Sequence, residues 1–85
     1  MSMDFGEGLH LSNGSARDLL LAIGCPKDQM VGTHGVMALD AVAAGITRAR
    51  ATPAGQEAPL REWLDDLAQI VSARLGDGHS NLEWS

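Results

Sequence analysis

Apolar side chains recur at helical spacing most clearly between Pro59 and Gly76. One face of this stretch carries Leu60, Trp63, Leu64, Leu67, Ile70, Val71 and Leu75. The opposite face is polar. Pro59 suits the first position of a helix, and Gly76 suits a residue that ends one. The pattern therefore predicts a helix over this range with one buried face.

A shorter helix is predicted near the start of the chain. Its apolar face consists of Ala16, Leu19, Leu20 and Ile23. Gly24 follows, and glycine suits the left-handed position just beyond a helix end. Ser15 with Asp18 resembles a capping box, although Ser12 or Asn13 could cap the helix instead. The helix would have about two turns and would depend on packing for its stability.

A second helix is expected from a cap at Thr33 to about Arg50. Two apolar stripes would run along it, one with Val36, Leu39, Ala43 and Ile46, the other with Met37, Ala41 and Ala44. A helix that is apolar over such a broad arc lies centrally in its domain or at an interface. Small residues such as Ala44 and Gly45 would let a neighbouring helix approach closely.

Two short strands are predicted, one near each end of the chain. Apolar and polar residues alternate in Leu9–Leu11 and again in Asn81–Trp84. Two isolated short strands are stabilised most simply by pairing with each other, so we expect a two-stranded ribbon that packs on the helices. The outer edges of this ribbon would remain open to a second chain.

The predicted order of elements is β-α-α-α-β, which indicates the α+β class. We expect a compact three-helix domain with a short ribbon formed by the chain termini. Residues 1–85 read as one domain, because the chain shows no internal repeat or low-complexity tract. At this length, burial of apolar surface barely exceeds the loss of conformational entropy, so self-association remains open.

The charge balance narrows the classes of partner. Six basic residues stand against eleven acidic ones, and the net charge is −5. A chain with this charge and no basic patch repels a phosphate backbone, so we expect no nucleic-acid partner. No apolar run approaches the roughly 20 residues that span a bilayer, and the start lacks a signal-peptide pattern. We therefore expect a soluble cytoplasmic protein without a membrane partner.

Candidate catalytic groups are few. Cys25 is the one cysteine, and the three histidines are His10, His34 and His79. None of these lies at the close spacing of zinc ligands, and nothing in the spacing forces a Cys-His pair. We interpret Cys25 as a half-buried, unreactive thiol. The sequence predicts no catalytic residue, no metal site and no cofactor.

Candidate contact residues for a protein partner are more numerous. Some are apolar without an evident core role, some form an acidic cluster on the third helix, and one is a terminal tryptophan: Met30, Val31, Met37, Ala41, Glu62, Asp65, Asp66 and Trp84. The simplest interpretation of the acidic cluster is a solvated helix face. Trp63 and Trp84 are both expected in the core, and an exposed anchor is the alternative for Trp84.

The two ends of the chain resemble a group of small uncharacterised bacterial and phage-borne proteins. The shared pattern has a strand, a Ser/Asn cap, an Ala-x-x-Leu-Leu-x-x-[Leu/Ile]-Gly helix and a terminal tryptophan. The matching residues are Leu9, Leu11, Ser12, Asn13, Ala16, Leu19, Leu20, Ile23, Gly24, Leu82 and Trp84. Gly14 departs from it, where a second Asn is common. The resemblance implies a strand and helix at the start and a closing strand, and it transfers no functional residue.

Three functional hypotheses follow. The first is a non-enzymatic protein-interaction module, with a homodimer as one form, that uses the apolar surface of the second helix and an open strand edge. The second is a phage-type acidic inhibitor of a host defence protein, which would use Glu62, Asp65 and Asp66. The third is a small enzyme that uses Cys25 or a histidine, with His34 as the histidine to test. The first is preferred, because the sequence contains no catalytic constellation.

Overall fold

Three helices and four short strands make up the fold in a computed structural model that describes residues 2–6, 9–26, 28 and 35–85. The strands are β1 (Ser2–Asp4), β2 (His10–Ser12), β3 (Gly35–Ala38) and β4 (Asn81–Trp84). The helices are α1 (Asn13–Ala22), α2 (Leu39–Arg50) and α3 (Leu60–Gly76). A short 3₁₀ helix, Ala54–Gln56, lies between α2 and α3. The α+β class with three helices is thus confirmed.

The pairing of the strands differs in detail from the expected terminal ribbon. β1 pairs with β2, with Met3 opposite Leu11, and β3 pairs with β4, with Met37 opposite Leu82. The two ends still meet, because Asp4 and Ser85 exchange backbone hydrogen bonds of 2.7 and 3.1 Å. Each expected strand thus pairs with a strand that was not predicted. These partners, β1 and β3, have only three and four residues, which is too short for a periodic signal.

The first helix ends as predicted and begins slightly earlier. Ser12 is its N-cap, and the Ser12 Oγ accepts a hydrogen bond of 3.3 Å from the Ser15 N–H. The Ser15 and Asp18 capping box is therefore not the one used. Gly24 follows the helix with a φ of 81°, a left-handed conformation that glycine adopts without a Cβ penalty.

The second helix is shorter than predicted, because it begins at Leu39 rather than near Thr33. Thr33 lies outside the described residues, and the residues from 35 to 38 are extended and paired with β4. Val36 and Met37 are therefore strand residues, not members of helical stripes. The large buried side chains of α2 are Leu39, Val42 and Ile46. This pairing with a strand distant in sequence overrides the local helical pattern.

The buried apolar side chains form one cluster to which both strand pairs and all three helices contribute. Phe5 and Trp84 meet in it with ring centroids 5.9 Å apart. No polar or charged residue is buried among the described residues. The apolar stripe of α3 is fully buried only in its middle, because Leu60 and Trp63 are half-buried and Leu75 is 50% exposed. The apolar stripe is therefore partly exposed at both ends of α3.

The connection between α2 and α3 is tied to the end of α2. The Thr52 hydroxyl donates to the Ala49 carbonyl at 2.6 Å and accepts from the Gly55 N–H at 3.1 Å. Gly55 is buried, and a Cβ on it would overlap the backbone of Ala49. Gly55 therefore lets the connection lie directly against α2, which places residues 54–60 beside the first turn of α3.

Candidate functional site

The described residues contain no cluster of three or more side chains that could hold a metal ion. His10 lies on the exposed surface, with its Nδ1 atom 3.7 Å from Asp4 Oδ1. His79 is exposed beyond the end of α3. His34, the histidine named in the enzyme hypothesis, lies outside the described residues. Within the described part of the chain, neither histidine hydrogen-bonds to Cys25.

Cys25 is buried at the end of α1. The residue is 5% exposed, and its thiol donates weakly to the Pro26 carbonyl at 3.6 Å. Burial raises the pKa of the thiol above its ordinary value, and the nearby negative charge of Asp28 raises this pKa further. A raised pKa keeps the thiol protonated near neutral pH, which is the opposite of an activated nucleophile.

Alkylation of Cys25 is expected to be slow in the folded protein. At about pH 8, iodoacetamide should modify it roughly tenfold or more slowly than in the urea-unfolded chain, because both burial and the raised pKa reduce the reactive thiolate. The rate should still be rising at a pH where the unfolded chain has reached its plateau. Mass spectrometry of the modified fraction over time measures this rate. Equal rates in the folded and unfolded protein would contradict the assignment.

A groove runs between α1 and the start of α3. It is lined by Asp18 of α1, by Ala54, Glu57 and Ala58 of the connection, and by Pro59, Leu60 and Trp63 at the start of α3. Its volume is about 250 Å³. Five of the seven lining residues are apolar, and the remaining two are carboxylates. We call it the Trp63 groove.

The two carboxylates of the Trp63 groove have no partner among the described residues. Neither Asp18 nor Glu57 forms a side-chain hydrogen bond or an ion pair there, and both are exposed. Two further exposed carboxylates lie next to the groove on α3. Glu62 is three residues beyond Pro59 and Asp66 is three residues beyond Trp63, a spacing that places side chains side by side on a helix.

Two arginines line a different depression. Arg50 and Arg61 line a neighbouring depression of about 420 Å³ together with Gly55, Gln56 and Asp65. The Arg50 guanidinium donates to Asp65 Oδ1 at 2.9 Å. Asp65 is thus already neutralised by an exposed ion pair, whereas the carboxylates on the other side of the connection are not.

A depression of about 660 Å³ lies between the two strand pairs and the end of α3. Three carboxylate side chains and one arginine line it, namely Asp4, Asp28, Glu83 and Arg74.

The candidate contact residues from the sequence do not form one surface. Met30 and Val31 lie outside the described residues. Met37 is half-buried against the core and Ala41 is exposed on α2, while Glu62, Asp65 and Asp66 share the exposed face of α3. Trp84 is 2% exposed, so its indole lies in the core and not at a surface.

Sequence reasoning missed the residues of the Trp63 groove. It assigned Trp63 to the core, and it mentioned Asp18 only as a capping partner. One available signal was the position of Trp63 in the first turn of a long helix, where an apolar stripe leaves the core. The approach of Asp18 and Glu57 could not be inferred, because it depends on how α1 packs beside the connection.

Comparison with known proteins adds no assignment. Among the described residues, no helix has the length and apolar character that crossing a membrane requires. The chain matches no protein-family model, no curated protein and no solved structure.

Proposed function

We propose that this chain is a non-enzymatic protein-interaction module that binds a basic segment of a partner protein. The contact would be made by four exposed carboxylates around the Trp63 groove, namely Asp18, Glu57, Glu62 and Asp66, which we call the acidic surface. The observation that carries the proposal is that Asp18 and Glu57 flank an apolar groove without an ion pair among the described residues. The net charge of −5 favours encounter with a basic partner.

The acidic surface is better suited to binding than the surfaces first considered. The large apolar side chains of α2 face the core, and what α2 exposes includes the small residues Ala41 and Ala44. At the end of β4, Ser85 already hydrogen-bonds to Asp4. An alanine face and a partly occupied strand edge offer little apolar area or hydrogen-bonding capacity to a partner.

The same surface also suits the second hypothesis, an acidic inhibitor of a host defence protein. Such an inhibitor would place carboxylates on a basic surface of its target. Glu62 and Asp66 are exposed and suit this role, whereas Asp65 is held by Arg50. In either case the first contact would be electrostatic, and its rate of association would fall as salt is added.

Carbodiimide cross-linking tests the proposal, because this reagent joins a carboxylate to a lysine that lies in contact with it. The tagged chain is cross-linked in a lysate of its source cells, and the products are identified by mass spectrometry. The test variant combines Glu57→Gln, Glu62→Gln and Asp66→Asn. The control variant combines Asp28→Asn, Asp77→Asn and Glu83→Gln, three exposed acids elsewhere. Both variants move the net charge by the same amount, from −5 to −2.

A partner cross-linked to the wild type and the control variant, but lost from the test variant, is the expected result. If the partner persists in the test variant, or is lost equally from both, the acidic surface is not the contact. If the wild type yields no cross-linked partner, the proposal of an interaction module is overturned.

A further inference from the structure

We infer that the Trp63 groove is a binding site for the side chain of one arginine of the partner, with the guanidinium over the indole of Trp63 and between Asp18 and Glu57. This inference rests on the proposed function and specifies its chemistry. It adds a defined position at which the partner must carry an arginine, whereas a general acidic surface requires only positive charge.

The size of the groove favours a single side chain. Small-molecule sites typically enclose about 300–1,000 Å³, and the groove measures about 250 Å³. Its apolar lining consists of Ala54, Ala58, Pro59, Leu60 and Trp63. This lining suits the methylene stem of a long side chain, which gains from apolar contact while its charged end stays near water.

The aromatic residue favours a cation at that end. Trp63 is half-buried and packs against the core on one side, so the wall that it contributes to the groove is held in place. The face of an indole attracts a positive group electrostatically, and tryptophan does so best among the aromatic side chains. The planar guanidinium of arginine also stacks on aromatic rings and forms paired hydrogen bonds with a carboxylate, which an ammonium group cannot do.

The carboxylates fit the same ligand. Asp18 and Glu57 come from different parts of the chain, and neither has a partner among the described residues. Arg61, four residues after Glu57, lines the neighbouring depression with Arg50 instead. An anionic ligand would be repelled by these two charges. A structural metal ion would need more ligands than the groove supplies, since only two of its lining residues carry a ligating side chain.

The two tryptophans allow a direct test by NMR. The chain contains two, and Trp84 is 2% exposed in the core, so its indole N–H resonance is an internal control. The protein is titrated with three capped tripeptides, Gly-Arg-Gly, Gly-Lys-Gly and Gly-citrulline-Gly. Citrulline has nearly the shape of arginine but no charge. A Trp63→Phe variant assigns the two indole resonances.

We expect the arginine tripeptide to shift the Trp63 indole resonance in the millimolar range and to leave the Trp84 resonance in place. The citrulline tripeptide should bind at least about fivefold more weakly, and the lysine tripeptide should fall between them. The double variant Asp18→Asn with Glu57→Gln should weaken arginine binding by about fivefold to tenfold. Asp77→Asn is a control for the loss of a distant negative charge, because the length of α3 separates it from the groove by about 25 Å, and it should change nothing.

Three results would overturn the inference. The first is equal binding of the arginine and citrulline tripeptides, which would remove the role of the charge. The second is a set of shifts at the backbone amides of Glu62 and Asp66 without a change at the Trp63 indole. That result would leave the acidic surface as a contact and reject the groove. The third is the absence of any shift up to the highest peptide concentration in the titration. That result would reject the groove, and the proposed function would then depend on the cross-linking result alone.

Discussion

Replacing Gly45 by alanine should strongly destabilise the fold. Gly45 is buried in α2, where the helix packs against the end of α1. A Cβ at this position would overlap the carbonyl oxygen of Ile23 and lie 2.8 Å from its carbonyl carbon. These are backbone atoms, which cannot rotate away as a side chain can. The two helices would have to separate, and Ile23 is itself fully buried.

The expected net loss is about 2 kcal/mol in the free energy of unfolding. Overpacking a core typically costs about 1–3 kcal/mol, and contact with backbone places this site at the upper end. Alanine favours a helix over glycine by up to about 1 kcal/mol, which offsets part of the cost. Since an 85-residue domain is expected near the lower end of about 5–15 kcal/mol, the loss is a large share of its total stability.

Urea denaturation followed by far-UV circular dichroism measures the effect, and Gly14→Ala is the matched control. Gly14 lies in α1, and a Cβ there would meet no atom within 4 Å. The control should therefore be as stable as the wild type, or more stable by up to about 1 kcal/mol. Equal stability of the two variants would show that α1 and α2 do not approach each other as closely as described.

Truncating Trp84 to alanine should have the second large effect. The indole is 2% exposed, packs against the ring of Phe5 and belongs to the strand that pairs with β3. Removing a buried aromatic side chain typically costs about 3–5 kcal/mol, because apolar contact is lost and a cavity remains. We expect the variant to be largely unfolded at moderate urea concentrations that leave the wild type folded.

Trp84→Phe separates the contribution of ring packing from the cost of burying the indole N–H. The Trp84 Nε1 atom is buried and has no hydrogen-bond partner in the described part of the chain. Phenylalanine keeps most of the ring contact and removes this unsatisfied donor, whose burial costs about 1–3 kcal/mol. The phenylalanine variant should therefore lose no more than about 2 kcal/mol. If both variants lost stability equally, ring packing against Phe5 would not be the stabilising interaction at this position.

Much of the helical structure was predictable because its signals are local. The spacing of apolar residues identified α3, and Gly24 was correctly placed beyond the end of α1, where its φ is 81°. Alternation in Asn81–Trp84 identified β4. In each case, neighbouring residues in the sequence are also neighbours in the element, so periodicity and end signals carry the information.

The candidate site was less predictable. The sequence indicated that α3 carries an acidic exposed face, and Glu62 and Asp66 do lie there. It did not indicate that Asp65 pairs with Arg50, or that Trp63 lines a groove rather than the interior of the core. Those facts depend on side chains from separate elements that meet only after the helices have packed.

The sequence by itself determined the α+β class, the existence of three helices and the limits of α3, since these depend on short-range periodicity and on glycine and proline at helix ends. Tertiary structure decided the rest. Residues 35–38 form a strand instead of the first turn of α2, because pairing with Asn81–Trp84 is more favourable in free energy than continuation of the helix. Tertiary structure also placed Asp18 beside the same groove as Glu57 and Trp63, because these residues belong to separate elements that meet only when the chain has packed.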